Sequence, residues 1–372
     1  MKTASCSDFK KLLIVGPKPP PIGGSPLTVQ AIIDELAKSP SVKLSLVNTS
    51  PIRDVRKKMT GFNFEKVWRV MMFAPKYVWE IRKCDAVLVF SNNLFALTAI
   101  PFLLLLARMF KKPFYMKPVG GDLDLYLESL PGPLRKFLQS NLRNMDGILV
   151  QTQLLKRSLT NIGCSRALYL PGFRTKPSTI QPQKRESYEL RLIFLAHIAR
   201  EKGPLILLEA LQVLERSCQA PISCDFYGPI HDEIREDFLS QLELTPSAHY
   251  CGVAEPGSGT SLISAYDVLV LPTYFVCEGH TGVLIEAMHA GIPVISTWHR
   301  SVPELVTNGE NGILVPTRES QALAEAIRQM AVDRSLRERM GLANSIRGEF
   351  FRTEKIVAQM LNIIFPTMTI VQ

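Results

Sequence analysis

The sequence lacks several features that would assign it quickly. Its seven cysteines, at 6, 84, 164, 218, 224, 251 and 277, show no Cys-x-x-Cys spacing and no matching histidine pair. That argues against a zinc site or a disulfide framework, and a reduced compartment fits best. There is no G-x-G-x-x-G fingerprint and no P-loop lysine, so neither dinucleotide nor ATP binding follows from motif. The opening MKTASCSDFKK has no apolar core of the kind a secretory leader needs. The expectation is a cytoplasmic protein, peripheral at most at the inner face of the membrane. The longest apolar run, Leu94 to Met109, falls short of a comfortable membrane span and is closed by Arg108 with Lys111-Lys112. It reads as a helix inside a domain, buried or facing a membrane, with a transmembrane span the weaker alternative. No zinc finger and no RNP-type aromatic motif is present, so nucleic acid is not an expected partner. No repeat of solenoid period occurs.

What is present points to globular structure. At 372 residues, 46% hydrophobic and mean hydropathy +0.10, the chain can bury about two full cores. The net charge of +9 is uneven. Residues 1–175 hold 26 Lys and Arg against 11 Asp and Glu, and the remainder holds 17 against 23. Residues 51–85 alone carry Arg53, Arg56, Lys57, Lys58, Lys66, Arg69, Lys76, Arg82 and Lys83 among Phe62, Phe64, Trp68, Phe73 and Trp79. Two readings stand side by side: an amphipathic basic surface for an anionic bilayer, or a solvated helical face with its other side in the core.

Short branched runs at Phe9–Val15, Val42–Val47, Ala86–Phe90, Phe114–Lys117, Gly147–Val150 and Ala167–Leu170 alternate with helical stretches. From Arg174 to Glu189 the chain is polar, proline-containing and aperiodic, and reads as a linker. A second alternating set follows, with strands at Leu192–Ala196, Cys224–Tyr227, His249–Cys251, Asp267–Pro272 and Pro293–Thr297. The pattern predicts an α/β protein with parallel sheets covered by helices.

The most informative stretch is Tyr274 to Thr297, where Glu278 and Glu286 flank a Gly-His-Thr-Gly turn that opens a helix over Gly282–Ala290, stopped by Gly291 and Pro293. A turn leaving a parallel strand for a helix offers unpaired N–H groups suited to phosphate, and a carboxylate just inside can accept from sugar hydroxyls. Taken alone, the two glutamates could merely offset the helix dipole. Gly23-Gly24 lies just before another helix, where backbone without Cβ atoms can approach a ligand; an unliganded Pro/Gly turn is the alternative. His197, Arg200 and Lys202 occupy the turn after a strand, where an anion could bind. Asp122 and Asp124 follow a strand too; as a metal pair they are a weak signal, and no metal site is expected.

FLAHIAREKG (194–203), the E-x7-E stretch, GIPVIST and VPELVTNGENGILVP (302–316), in this order and spacing, resemble family 4 of the retaining glycosyltransferases, which have the GT-B fold. The resemblance implies two Rossmann-like domains with parallel sheets facing across a cleft: an acceptor-side domain over 1–173, a linker over 174–189, a nucleotide-sugar-binding domain over 190–348, and a last helix over 349–372 crossing back. It implies that Lys202 holds the diphosphate and stabilises the leaving nucleotide, and that Glu278 faces the donor sugar hydroxyls. The amides of Gly279, His280, Thr281, Gly282 and Val283 bind sugar and phosphate, Glu286 takes the ribose, and Gly23 and Gly24 close over the diphosphate. His197 stands where the family usually has an arginine, which Arg200 could replace. Asp122 stands where many members have a histidine near the reacting carbon. The implied activity is transfer of a sugar, with retention and without a metal or other cofactor, from a UDP- or GDP-sugar to a hydroxyl of a glycan or lipid-linked acceptor in cell-surface polysaccharide or glycolipid synthesis. Two alternatives keep the fold: another GT-B enzyme such as an epimerase, and a nucleotide-sugar-binding partner protein without turnover.

Overall fold

The structure is a computed structural model that describes residues 9–19, 24–39, 41–50, 74–178, 188–217 and 220–366. Gly23 and the basic residues from Arg53 to Arg69 lie outside the described residues. The chain divides into two compact units, one comprising residues 1–171 with 353–372 and the other residues 172–352.

The first unit is built on six parallel strands: β1 (Lys10–Gly16), β2 (Val42–Asn48), β3 (Ala86–Ser91), β4 (Phe114–Pro118), β5 (Gly147–Val150) and β6 (Ala167–Tyr169). They lie in the order β2-β1-β3-β4-β5-β6. Strands with helices over both faces must be apolar on both, and this is why the segments read as unbroken runs without alternation. In β1, Leu12, Leu13, Ile14 and Val15 are all fully buried. Leu13 and Val15 join one core with Tyr77, Leu103, Leu138 and Leu155 from the helices. The helix Thr353–Ile364 belongs to this unit; Gln359 donates to the Tyr169 carbonyl at 3.3 Å, and the Tyr115 hydroxyl donates to that of Ile363 at 3.4 Å.

The second unit repeats the plan with β7 (Leu190–Leu195), β8 (Ile222–Tyr227), β9 (Ala248–Tyr250), β10 (Val268–Val270), β11 (Val294–Thr297) and β12 (Gly312–Val315). Its order, β12-β11-β10-β7-β8-β9, is that of dinucleotide-binding sheets. The sequence of connections reverses between β7 and β10, so the loops leaving those two neighbouring strands diverge to opposite faces and open a crevice at their carboxyl ends. The chain enters and leaves this unit side by side: Arg174 N–H donates to the Phe351 carbonyl at 3.2 Å, and Lys176 pairs with Glu349 at 2.6 Å.

Some elements differ from the sequence-based expectation. The apolar run at 94–109 is two helices, Asn93–Thr98 and Ile100–Met109, because Pro101 begins a new first turn and removes an N–H that a continuous helix would use. One side of the second is buried through Ile100, Leu103, Leu104 and Ala107, while Phe102, Leu105 and Met109 are exposed. Among the described residues no helix is long and apolar enough to cross a membrane. The last helix expected over 349–372 starts as a 3-10 turn, Glu349–Phe351, followed among the described residues by the helix Thr353–Ile364. Strand β12 and the helix Arg334–Gly348 had no strong local signal; four apolar residues after Asn-Gly and a largely polar helix are held by tertiary contacts. The fully buried Asn344 binds that helix to the sheet, donating to the carbonyls of Ile292 (2.8 Å) and Asn311 (2.7 Å) and accepting from the Asn311 amide at 2.8 Å.

Asn344→Ala orphans these buried groups and should destabilise the protein by about 2 kcal/mol. In urea the unfolding midpoint of the second unit should fall with an unchanged slope; an unchanged midpoint would show that water replaces the side chain without loss.

Candidate functional site

The crevice between β7 and β10 collects the charged residues. After β7 the chain turns through His197 and Ala199 into a 3-10 turn, Arg200–Lys202, which ends at Gly203 with φ of +80°. A Cβ at 203 would lie 2.3 Å from the Pro272 carbonyl oxygen. Glycine therefore lets the loop after β7 touch the loop after β10, and the two are stitched by Tyr274 N–H to the Glu201 carbonyl at 2.7 Å.

That contact brings Lys202 to Glu278. The Lys202 ammonium donates to Glu278 Oε1, and Nζ also sits 4.5 Å from the centre of the Phe275 ring. Thr273 donates to the same oxygen and Thr281 to Oε2, each at 3.0 Å. Glu278, 5% exposed, is thus a carboxyl group held by three donors. Thr281 is the cap residue of the helix Gly282–Ala290, but its hydroxyl is committed to Glu278 and does not cap the helix. The first N–H groups of any helix lack an acceptor within it, so the start of this helix remains available to an anion. The backbone at Glu278 and Gly279 is pinned by Ser301, whose hydroxyl meets both carbonyls at 3.1 and 2.7 Å.

Glu286 lies one turn into the helix. Burial pushes its pKa up, and the guanidinium of Arg174 counters, with Nε 3.4 Å from Oε1. Arg174 was legible only as part of a polar linker; its ion pair connects residues 112 positions apart and leaves no local signal. The His280 ring is engaged by other partners, with Nδ1 accepting from Gly172 N–H at 3.2 Å and Nε2 3.4 Å from Glu304.

His197 and Arg200 are engaged elsewhere. His197 Nδ1 is 3.0 Å from Nε2 of His231, in the loop after β8, so one ring donates and the other accepts. Burial lowers the pKa of His197, and the charges of His231 and Lys202 add to that. Arg200 pairs with Asp237 at 2.6 Å on the exposed side of the turn. Asp122 and Gly24 belong to the first unit: Asp122 follows β4 and accepts from the Asn93 amide at 2.8 Å, and Gly24 opens the helix Gly24–Ala37.

Residues 176–345 match the family model for glycosyl transferases group 1. The D-inositol 3-phosphate glycosyltransferase of Corynebacterium diphtheriae is 30% identical over 194 residues, 49% of this chain and 44% of its own length. The capsular polysaccharide biosynthesis glycosyltransferase CapM of Staphylococcus aureus is 27% identical over 174 residues, 47% of this chain and 45% of its own. The chain thus spans about half the length of the curated relatives it matches. Among solved structures, Anabaena HepE in complex with UDP and glucose superposes with a TM-score of 0.69 at 17% identity, over 97% of this chain and 100% of that one.

His289, on the far end of the same helix, offers a pH test of how the helix is held. It is 2% exposed, Nε2 meets the Arg174 carbonyl at 3.2 Å, and burial holds its pKa down at about 4. Unfolding restores an ordinary value near 6.5, so the unfolded chain binds a proton the native one refuses. Stability is therefore complete above about pH 6.5 and should fall by roughly 1.4 kcal/mol per unit as pH drops from there towards 4. His289→Gln should flatten the melting temperature over this window; an equally steep profile would assign it to other groups. The matched region makes residues 176–345 similar to glycosyl transferases group 1, and the α/β fold with two parallel sheets is that of the solved GT-B glycosyltransferase structures on which the chain superposes.

Proposed function

We propose that the protein is a glycosyltransferase that moves a sugar from a nucleoside-diphosphate sugar, UDP- or GDP-linked, to a hydroxyl of a glycan or lipid-linked acceptor in polysaccharide synthesis, with retention and without a metal. The observation that carries the proposal is the cluster of Lys202, Glu278 and the start of the 282–290 helix at the point where the second sheet reverses. CapM, a relative, is named for capsular polysaccharide biosynthesis, and the HepE structure is described as a complex with UDP and glucose.

A nucleoside diphosphate is already a fair leaving group. The protein has chiefly to stabilise the charge that develops as the anomeric carbon–oxygen bond breaks, and preorganised cations and amide dipoles do this. Lys202 and the helix start would take that role, Glu278 would accept from sugar hydroxyls, and Glu286 from the ribose. The acceptor oxygen forms the new bond on the face the phosphate leaves, and its proton passes to the departing phosphate oxygen. Glu278 is then a ligand and an electrostatic partner, with no covalent intermediate. His197 offers a neutral, hydrogen-bonding imidazole beside the phosphate position, so Lys202 would bear most of the compensating charge. Asp122 would serve on the acceptor side.

With UDP- and GDP-sugars and a membrane extract, sugar transfer should depend on both residues, with Lys202→Ala lowering kcat by about 10²- to 10³-fold and Glu278→Gln also impairing transfer. Transfer undiminished in Lys202→Ala would remove the phosphate role, and an inverted anomeric configuration by NMR would overturn retention.

The acceptor suggests a location. Phe102, Leu105 and Met109 form an exposed stripe on one helix that ends beside Lys111 and Lys112, and exposed Trp79 carries the Lys83 ammonium 4.0 Å above its ring. Apolar side chains ringed by lysines suit an anionic bilayer surface. Sedimentation with vesicles should rise with the fraction of anionic lipid and fall with added salt and in Phe102→Asp/Leu105→Asp. Equal binding to neutral vesicles would remove the electrostatic contribution.

A further inference from the structure

Two ion pairs flank the start of the 282–290 helix. Lys202–Glu278 lies on one side, and Arg174–Glu286 on the other. The second pair is partly enclosed, with the Arg174 and Glu286 side chains 23% and 21% exposed, against 19% and 6% for Lys202 and Glu278. The guanidinium also lies against Gly282, the first residue of the helix, so closely that a Cβ there would meet Nη2 at 1.8 Å. Glycine at this position makes room for an arginine.

The arginine is held from behind. Its N–H donates to the Phe351 carbonyl at 3.2 Å, its carbonyl is 3.2 Å from Nε2 of the neutral His289, and Nη1 donates to the Phe173 carbonyl at 2.9 Å. The Arg174 backbone is therefore anchored, and its guanidinium stands beside the first residue of the helix. Around that turn the other basic groups are committed: Arg200 points to Asp237, and His197 is kept uncharged by burial and its partner ring.

The chemistry of the two carboxylates supplies the logic. Each is paired with a cation, Lys202 or Arg174, and each is a site to which hydroxyl groups can donate. When ribose hydroxyls donate to Glu286, they take over the hydrogen bonds that Arg174 made. Its planar fork of donors is then free to turn onto an anion beside the helix start, and phosphate matches that fork in two bonds at once.

We infer that Arg174 is a second nucleotide-binding cation, which exchanges its pairing with Glu286 for a phosphate when a nucleotide binds. This rests on the nucleotide-sugar reading above. It adds a residue in the segment by which the chain enters the second unit, so the phosphate is gripped by the backbone that also anchors His289 and Phe351.

The test is calorimetric binding of UDP and GDP against uridine and guanosine, with wild type, Arg174→Gln and Arg174→Lys. In Arg174→Gln the affinity for whichever diphosphate wild type prefers should fall roughly tenfold or more while that for the matching nucleoside falls far less. Arg174→Lys should recover part of the loss and keep the salt dependence of diphosphate binding. Unchanged diphosphate affinity in Arg174→Gln overturns the inference. So does an equal loss for nucleoside and diphosphate, since that is what a merely structural support for Glu286 would give. A folding defect in Arg174→Gln leaves the decision with Arg174→Lys, which retains the charge without the fork: there a two-pronged contact predicts weaker diphosphate binding than wild type, and full wild-type affinity speaks against it. Failure of wild type to bind any of the four compounds removes the nucleotide-sugar reading and this inference with it, an outcome distinct from both of the others.

Discussion

The contact between Lys202 and Glu278 is the interaction on which the site depends. It joins the loops leaving β7 and β10, the two neighbouring strands at which the order of the second sheet reverses, and it exists because Gly203 lets one loop rest on the Pro272 carbonyl. Removing two charges from water costs several kcal/mol per ion before any attraction is counted. The pair is tolerable because Thr273 and Thr281 complete the hydrogen bonding of the carboxylate. Such a pair adds little stability. Its value is that both charges are held, dehydrated, beside a helix start whose cap hydroxyl has been turned elsewhere.

The rest of the second unit can be understood as support for that arrangement. Ser301 fixes the backbone of the turn from one side. From the other, the strand-like segments by which the chain enters and leaves lie together, with Lys176 and Arg352 both hydrogen-bonding Glu349 and holding its pKa down at about 2. His289 and Arg174 connect this double strand to the helix at both of its ends. A displacement of the entering and leaving segments is therefore transmitted to the helix whose start carries Gly282 and whose body carries Glu286. Backbone hydrogen bonds resist that displacement, which is a reason for the site to be rigid along this edge while its charged side chains exchange partners.

Much of this was legible in the residues. The apolar runs of the strands, the Gly-His-Thr-Gly turn and the E-x7-E spacing are local patterns, and a parallel sheet buried on both faces must produce such runs. Lys202 and Glu278 were recognisable by their position after strands. Three things were not. Pro101 divided a helix that hydropathy alone runs together. Strand β12 is four residues long and takes its place only by pairing with β11. Arg174 was indistinguishable from a polar linker, since the partner that gives it meaning is 112 residues away.

The sequence by itself determined the α/β class, the alternation of strand and helix, and which turns combine glycine with charged residues, because these follow from side-chain periodicity and from the backbone freedom of glycine over a few residues. Only the tertiary structure decided which charges meet. Lys202 finds Glu278, Arg174 finds Glu286, Arg200 is drawn away to Asp237 and His197 to His231, through loops on strands that are neighbours in the sheet and distant in the chain. Electrostatic energy falls off with distance in space and has no regard for separation along the sequence, so partner choice is written in the strand order.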